Sequence, residues 1–166
     1  MDRASEAEKI KLEHDAAKLF LRSYEKQFAV HMRHIWHNEP NKPDVSCYQG
    51  EIQLDIEIAH FYASEKEAMA VLGRPLSLST QRELAVMSQA ADSDQLSIGL
   101  QRLLNQKAKK HYDSQRVWLL IRNASPIYHL DDFKRLKATW EIPDCHPFEQ
   151  VWVLCDFYHG DLLRLF

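Results

Sequence analysis

Glycine is scarce in this 166-residue chain: Gly50, Gly73, Gly99 and Gly160 are the only four, and no two are close together. A Walker loop and a dinucleotide-binding glycine loop both need clustered glycines where backbone approaches phosphate, so both are excluded. Collagen-like and low-complexity readings fall on the same count. Cysteine is scarce too. Cys47, Cys145 and Cys155 make an odd set with no CxxC spacing, which argues against a disulfide scaffold and for a reducing compartment. No apolar run reaches the roughly 18 residues of a membrane span. The N-terminal MDRASEAEKIKLEHD is charged throughout, so it is neither a signal peptide nor a span. A soluble, cytoplasmic protein without a membrane partner is expected. Nor is there an excess of one charge, with 21 Lys+Arg against 24 Asp+Glu and a net charge of −3. That excludes a histone-like binder, and any contact with DNA or RNA would need a local basic patch or a bound cation. No GxSxG elbow is present, so acyl chemistry has no support.

What is present suits one domain over residues 1–166, long enough to bury a core without staples. Residues 3 to about 36 carry a four-residue apolar step, Leu12, Ala16, Phe20, Tyr24 and Phe28, which predicts one long helix. HNEPNKP then stops it. In EIQLDIEIAHF the apolar Ile52, Leu54, Ile56 and Ile58 alternate with Glu51, Gln53, Asp55 and Glu57, which predicts a strand with one apolar and one polar face. DVSCYQ is its partner, turning at Gly50. Residues 64–72 and 80–90 have helical patterns, the second with a capping box of Thr80 and Glu83. A further helix capped by Asp92 or Ser93 runs to about Tyr112. RVWLLIR and EQVWVLCDF are apolar on both faces, as covered strands are, and HLDDFKRLKATW between them is a short helix. The order predicts an α/β fold, a single domain with a mixed central sheet flanked by helices.

PDVSCYQGEIQLDIEIA resembles the signature of the PD-(D/E)XK nuclease superfamily: an Asp after a Pro, then an acidic residue, any residue and a Lys, on adjoining strands. Here Pro43-Asp44 matches the first element and Glu57-Ile58-Ala59 the second, thirteen residues on. The resemblance covers residues 5–155 and implies a restriction-endonuclease-like core. It implies a metal-dependent nuclease hydrolysing phosphodiester bonds of DNA or RNA, with Asp44 and Glu57 as Mg²⁺ ligands. The chemistry suits those residue types, since a hard cation prefers oxygen ligands and lowers the pKa of its bound water. Asp55, two residues from Glu57 on the same strand face, is a candidate outer carboxylate. The competing reading makes Asp55 and Glu57 the solvent face of a half-buried strand.

The sequence departs from the family at Ala59, which stands where the motif has its Lys. Some members move that Lys to a neighbouring element, and Lys107 is the candidate: it shares the arc of Leu96, Leu100, Leu103 and Leu104, as does His111, whereas Lys109 points away and Lys110 lies at the edge. A Lys in that arc either snorkels or meets a carboxylate. Gln106, Lys107 and Tyr112 resemble the polar helix the family carries beside its site. The family's first-helix Glu maps to Glu13, inside the arc of Phe20 with Gln27 and His31, while Glu25 falls outside it. Glu13 is otherwise a charge at an amphipathic boundary. The catalytic candidates are therefore Asp44, Glu57, Lys107 and Glu13. Lys109, Lys110 and Arg116, in a stretch with five Lys/Arg against one Asp, are candidates for phosphate contact, with KRLK at 134–137 beyond them. A solvated helix end is the alternative. His31, His34 and His37 at i,i+3 spacing on the first helix make a weak zinc pattern, and Cys145-His146 with Cys155 closes none. The rival reading is a catalytically inactive nuclease-fold module that binds a protein partner.

Overall fold

The computed structural model describes residues 3–39, 42–62, 92–125, 127–138, 142–156 and 159–166. Helix α1 (Arg3–Phe28) buries Ala16, Ala17, Phe20, Leu21 and Tyr24, the stripe its four-residue step predicts. It stops eight residues early. Ala29 takes a left-handed φ of 54°, and Glu25 turns its carboxylate back to accept the Met32 N–H at 2.9 Å. The chain then runs as strand β1 (Met32–His37), where a helix to about residue 36 was expected. The apolar stripe ends at Phe28, and pairing with strand β2 (Val45–Gln49) satisfies the backbone of residues 32–37 instead. Gly50, at φ 63°, turns β2 into β3 (Ile52–Phe61) and donates its N–H to His31 O at 2.7 Å.

Helix α2 (Asp92–Ala108) leads into β4 (Val117–Asn123), and α3 (Leu130–Lys137) into β5 (Gln150–Leu154), with β6 (Leu162–Arg164) closing the far edge. The strands lie in sequence order. β1, β2 and β3 are antiparallel; β3, β4 and β5 are parallel; β6 is antiparallel to β5. The chain is thus a single α/β domain on a six-stranded mixed sheet, with three helices among the described residues. The short edge strands β1 and β6 were not foreseen, and α2 ends at Ala108 rather than near Tyr112. The expected helices at 64–72 and 80–90, with the Thr80–Glu83 box, lie outside the described residues.

Each sheet face has its own core. On one, α1 packs on Leu54, Ile56, Ile58, Trp118, Leu120 and Trp152. On the other, α2 and α3 cover Ala59, Phe61, Leu119, Ile121, Val151 and Val153. β4 and β5 are buried on both faces, as their unbroken apolar runs require. β3 departs from its pattern: residues 54–59 are all buried, including Asp55 and Glu57. The polar face forms, but at Asp55 and Glu57 it is buried rather than solvated. The parallel neighbour β4 draws β3 into the sheet interior, and its carboxylates go with it.

Candidate active site

The β2–β3 register pairs Val45 with Ile56, so Asp44, just before β2, stands opposite Glu57. Asp44 Oδ2 accepts the Ile58 N–H at 2.8 Å, which fixes its carboxyl against β3. Asp44 and Glu57 face each other closely enough for each carboxyl to shift the other's titration. Glu57, 3% exposed, also gathers its counter-charges on one oxygen. Oε2 accepts from Tyr112 OH at 2.7 Å and Lys107 Nζ at 3.3 Å, with Lys110 Nζ at 3.7 Å. Lys107 comes from the last turn of α2, and Lys110 and Tyr112 from the segment that follows. From the opposite layer α1 supplies Glu13, only 2% exposed, with Lys9 Nζ at 3.6 Å and His37 Nδ1 at 3.9 Å.

The electrostatics follow from burial and crowding. Burial, the bond to Glu57 and the charges of Glu57 and Glu13 push Asp44 up to about 8. Burial would raise Glu57 as well, but the Asp44 proton, Lys107, Tyr112 and Lys110 outweigh it and hold Glu57 below the usual carboxylate range. Burial raises Glu13 despite Lys9 and His37. Burial and the bond to Glu57 raise the Tyr112 phenol, which stays a donor. The pair therefore keeps one proton at neutral pH, with Asp44 neutral and Glu57 ionised. A cavity of about 830 Å³ opens over these groups, lined by Lys9, Glu13, His37, Asp44, Glu57 and Lys110 among others.

Four residues predicted from the sequence, Asp44, Glu57, Lys107 and Glu13, meet here from the residue before β2, strand β3 and two helices. Asp55 shares the Glu57 face, but its oxygens are taken: Ser46 Oγ at 2.5 Å and Gln53 Nε2 at 3.1 Å on Oδ1, and Ser114 on Oδ2. It ties β2, β3 and the segment before β4 together. Lys110, expected to touch phosphate, lines the cavity beside Glu57. Lys109 is exposed and does not line it. Arg116 is held by Glu149 at 2.9 Å and Gln49 at 2.8 Å, and Gln106 is exposed. The histidine series is not helical. His34 and His37 lie on β1, so the i,i+3 face does not form. Burial pushes the thiols of Cys47 and Cys155 to about 12, which makes them inert core groups.

Lys9 and His37 were missed as site residues, while Tyr112, placed beside the site by the resemblance, comes from the segment after α2 and bonds Glu57 directly. His37 had no signal while residues 32–37 read as helix.

Among the described residues no group of three or more His, Cys, Asp and Glu is arranged to hold a metal ion, and no helix is long and apolar enough to cross a membrane. No family, curated protein or solved structure matches the chain.

Proposed function

We propose that this chain is a metal-dependent nuclease, a divergent PD-(D/E)XK protein on a restriction-endonuclease-like core, hydrolysing phosphodiester bonds of DNA or RNA with Mg²⁺. The observation that carries it is the meeting of Asp44 and Glu57 at one cavity, with Lys107 reaching from α2 to hydrogen-bond Glu57. A helix, three antiparallel strands, a helix and a strand parallel to the third agree with that core.

The donor set fits the cation. Two apposed carboxylates that keep a proton because they repel are a site where a divalent ion can replace that proton. Mg²⁺ needs one or two carboxylates and completes its shell with water and phosphate oxygens, so Asp44 and Glu57 suffice. When bound, the ion supplies charge for the phosphate and a water acidic enough to ionise near neutral pH. The chain's own residues do the rest. Lys107 donates to Glu57 and adds positive charge beside the carboxylate that faces the cavity. Tyr112 and Lys110 hold Glu57 ionised, and Glu13 adds negative potential from the α1 side. The amine missing at Ala59 is thereby replaced from α2.

One observation favours a second reading, the catalytically inactive nuclease-fold module that binds a partner. Glu57 already carries two lysine contacts, an internal salt bridge able to substitute for the metal. One experiment separates the two. Single-stranded and duplex DNA and RNA are incubated with the protein and Mg²⁺ or Mn²⁺, alongside Glu57→Gln. Cation-dependent cleavage lost in Glu57→Gln supports the nuclease. Absence of cleavage on every substrate leaves the inactive module.

A further inference from the structure

Strand β1 is irregular where it meets β2. Arg33 pairs with Tyr48 and Trp36 with Ser46, so β1 takes three steps where β2 takes two. The extra residue makes a bulge, and His34 within it has φ 60°, a left-handed conformation that a non-glycine residue adopts only at a cost. The bulge gathers rings. His34 and Trp36 both lie against Tyr48, with centroids at 6.0 and 5.6 Å. Trp36 nevertheless remains 37% exposed. A tryptophan left that open on an edge strand gives up burial that a core position would supply.

Its location gives the ledge a neighbour. Trp36 is in register with Ser46, and Ser46 with Asp55, so Trp36 lies on the sheet face that carries Glu57. The next row runs from Asn38, whose N–H meets Asp44 O at 3.0 Å, to Asp44 and Glu57. Trp36 is thus two strand spacings, about 10 Å, from the carboxylate strand. The residues right after it, His37 and Asn38, line the cavity itself. The ledge rings themselves stand outside the cavity lining, one row of the sheet away from it. The groups around the rings are polar: Arg33 opposite Tyr48, Ser46 opposite Trp36, and Gln53 opposite Tyr48. A protein partner would call for a contiguous apolar patch. A nucleobase, flat and aromatic with hydrogen-bonding edges, matches rings set among polar side chains. Bases in a duplex show only their edges, so the ligand is an unpaired base.

We propose that the His34–Trp36–Tyr48 ledge stacks an unpaired nucleobase of a single-stranded nucleic acid whose neighbouring phosphate lies in the Asp44–Glu57 cavity. The phosphate half rests on the nuclease reading; the stacking half does not. Lys42 and Lys110 share the cavity with an excess of carboxylates, Glu6, Glu39 and Asp113 among them, so the phosphate of that strand would enter it together with a divalent cation.

The test measures binding separately from cleavage. A fluorescein-labelled oligothymidylate and a duplex of equal length are titrated with the full-length protein, with Ca²⁺ in place of Mg²⁺. Single strand is expected to bind more tightly than duplex. Trp36→Leu, which keeps apolar bulk but no ring, should weaken single-strand binding about 5–150-fold, the range for loss of one stacked base, while Trp36→Phe retains most of it. Three results overturn the inference: no binding of single strand, equal binding by wild type and Trp36→Leu, or a sedimenting dimer that Trp36→Leu disperses, which would assign the ledge to a second copy of the chain. Cleavage is scored apart from this, on the same oligonucleotides with Mg²⁺. Ring-dependent binding without cleavage sinks the nuclease reading and keeps the ledge. Cleavage with ring-independent binding does the reverse.

Discussion

Replacing Lys107 by Met removes a charge while keeping most of the apolar stem. Its ammonium lies 3.3 Å from Glu57 Oε2, with the two side chains 17% and 4% exposed. At an effective dielectric of about 20, that separation corresponds to about 5 kcal/mol of attraction. Three things reduce the net effect. Lys107 regains its hydration in the unfolded chain, Tyr112 and Lys110 stay on the same oxygen, and Glu57 can take up a proton. The expected loss is about 2 kcal/mol, below the 3–5 kcal/mol or so seen when a buried charge loses its whole partner. For a chain of this size that is a fall in Tm of about 4–8 °C. A Lys merely snorkelling from the helix would leave the midpoint unchanged, as the helical arc alone allowed. The loss should be larger at pH 8 than at pH 5, because acid lets Glu57 neutralise itself. Scanning calorimetry at both pH values measures this. A Tm for Lys107→Met within about 1 °C of wild type at both would refute the pairing on which the site is built. On the nuclease reading the same variant loses about 10²–10³ in cleavage rate, the usual worth of one well-placed donor.

Asp44 is raised from an ordinary 3.8 to about 8, so the folded state holds its proton more tightly than the unfolded chain does. The resulting stabilisation is complete below about pH 4 and lost as pH rises through about 8, so urea midpoints in EDTA should fall across that interval; a flat profile would count against the shared proton. Asp44→Asn should raise the midpoint in EDTA at pH 8–9, since an amide oxygen can still accept the Ile58 N–H without the repulsion, and should remove any stabilisation by Mn²⁺. A lower midpoint for that variant would show the carboxyl to be stabilising as it stands. Ala59→Lys should lower stability by about 1–3 kcal/mol, because Ala59 is 3% exposed within the α2-side core. Restored cleavage in a Lys107→Met, Ala59→Lys double variant would contradict that packing argument.

The fold was legible where burial and period agree. RVWLLIR and QVWVLCDF are apolar on both faces, and only a strand covered on both sides uses such a run. The first helix was legible up to Phe28 because its stripe faces a single core. Beyond it local pattern fails: β1 is a strand because β2 lies beside it, information held in residues 45–49 rather than in 32–37. Asp44 and Glu57 were paired by the resemblance to the nuclease motif, and Lys107 was singled out by its place in the apolar arc of α2. The burial of Asp55 and Glu57 was not legible, because alternation describes one strand and says nothing of the helix end that closes over its polar face. His37 and Tyr112 reach the cavity through a strand edge and a loop, elements with no period to read.

Ala59 and Lys107 can be understood together. Two residues past Glu57 the strand has gone under α2, where Ala59 packs with residues including Leu100, Leu104, Leu119 and Ile121. An amine rooted there would have to cross apolar side chains to reach the cavity, with desolvation opposing it along the way. The last turn of α2 offers a better origin. The negative end of the helix dipole favours a cation there, and the stem of Lys107 can lie along the apolar face while its head emerges beside Glu57. On the nuclease reading, a charge supplied from the helix rather than the strand lets β3 keep an alanine in a tight core. It also makes the state of Glu57 depend on how the end of α2 and the Lys110–Tyr112 segment are seated. Ser114 hydrogen-bonds Asp55, and the Asp55 N–H meets Arg116 O at 3.0 Å, so that segment is fastened to β3 two residues from the carboxylate it serves. The buried Asp55 thus acts through that segment, holding the loop that carries Tyr112 against the strand that carries Glu57.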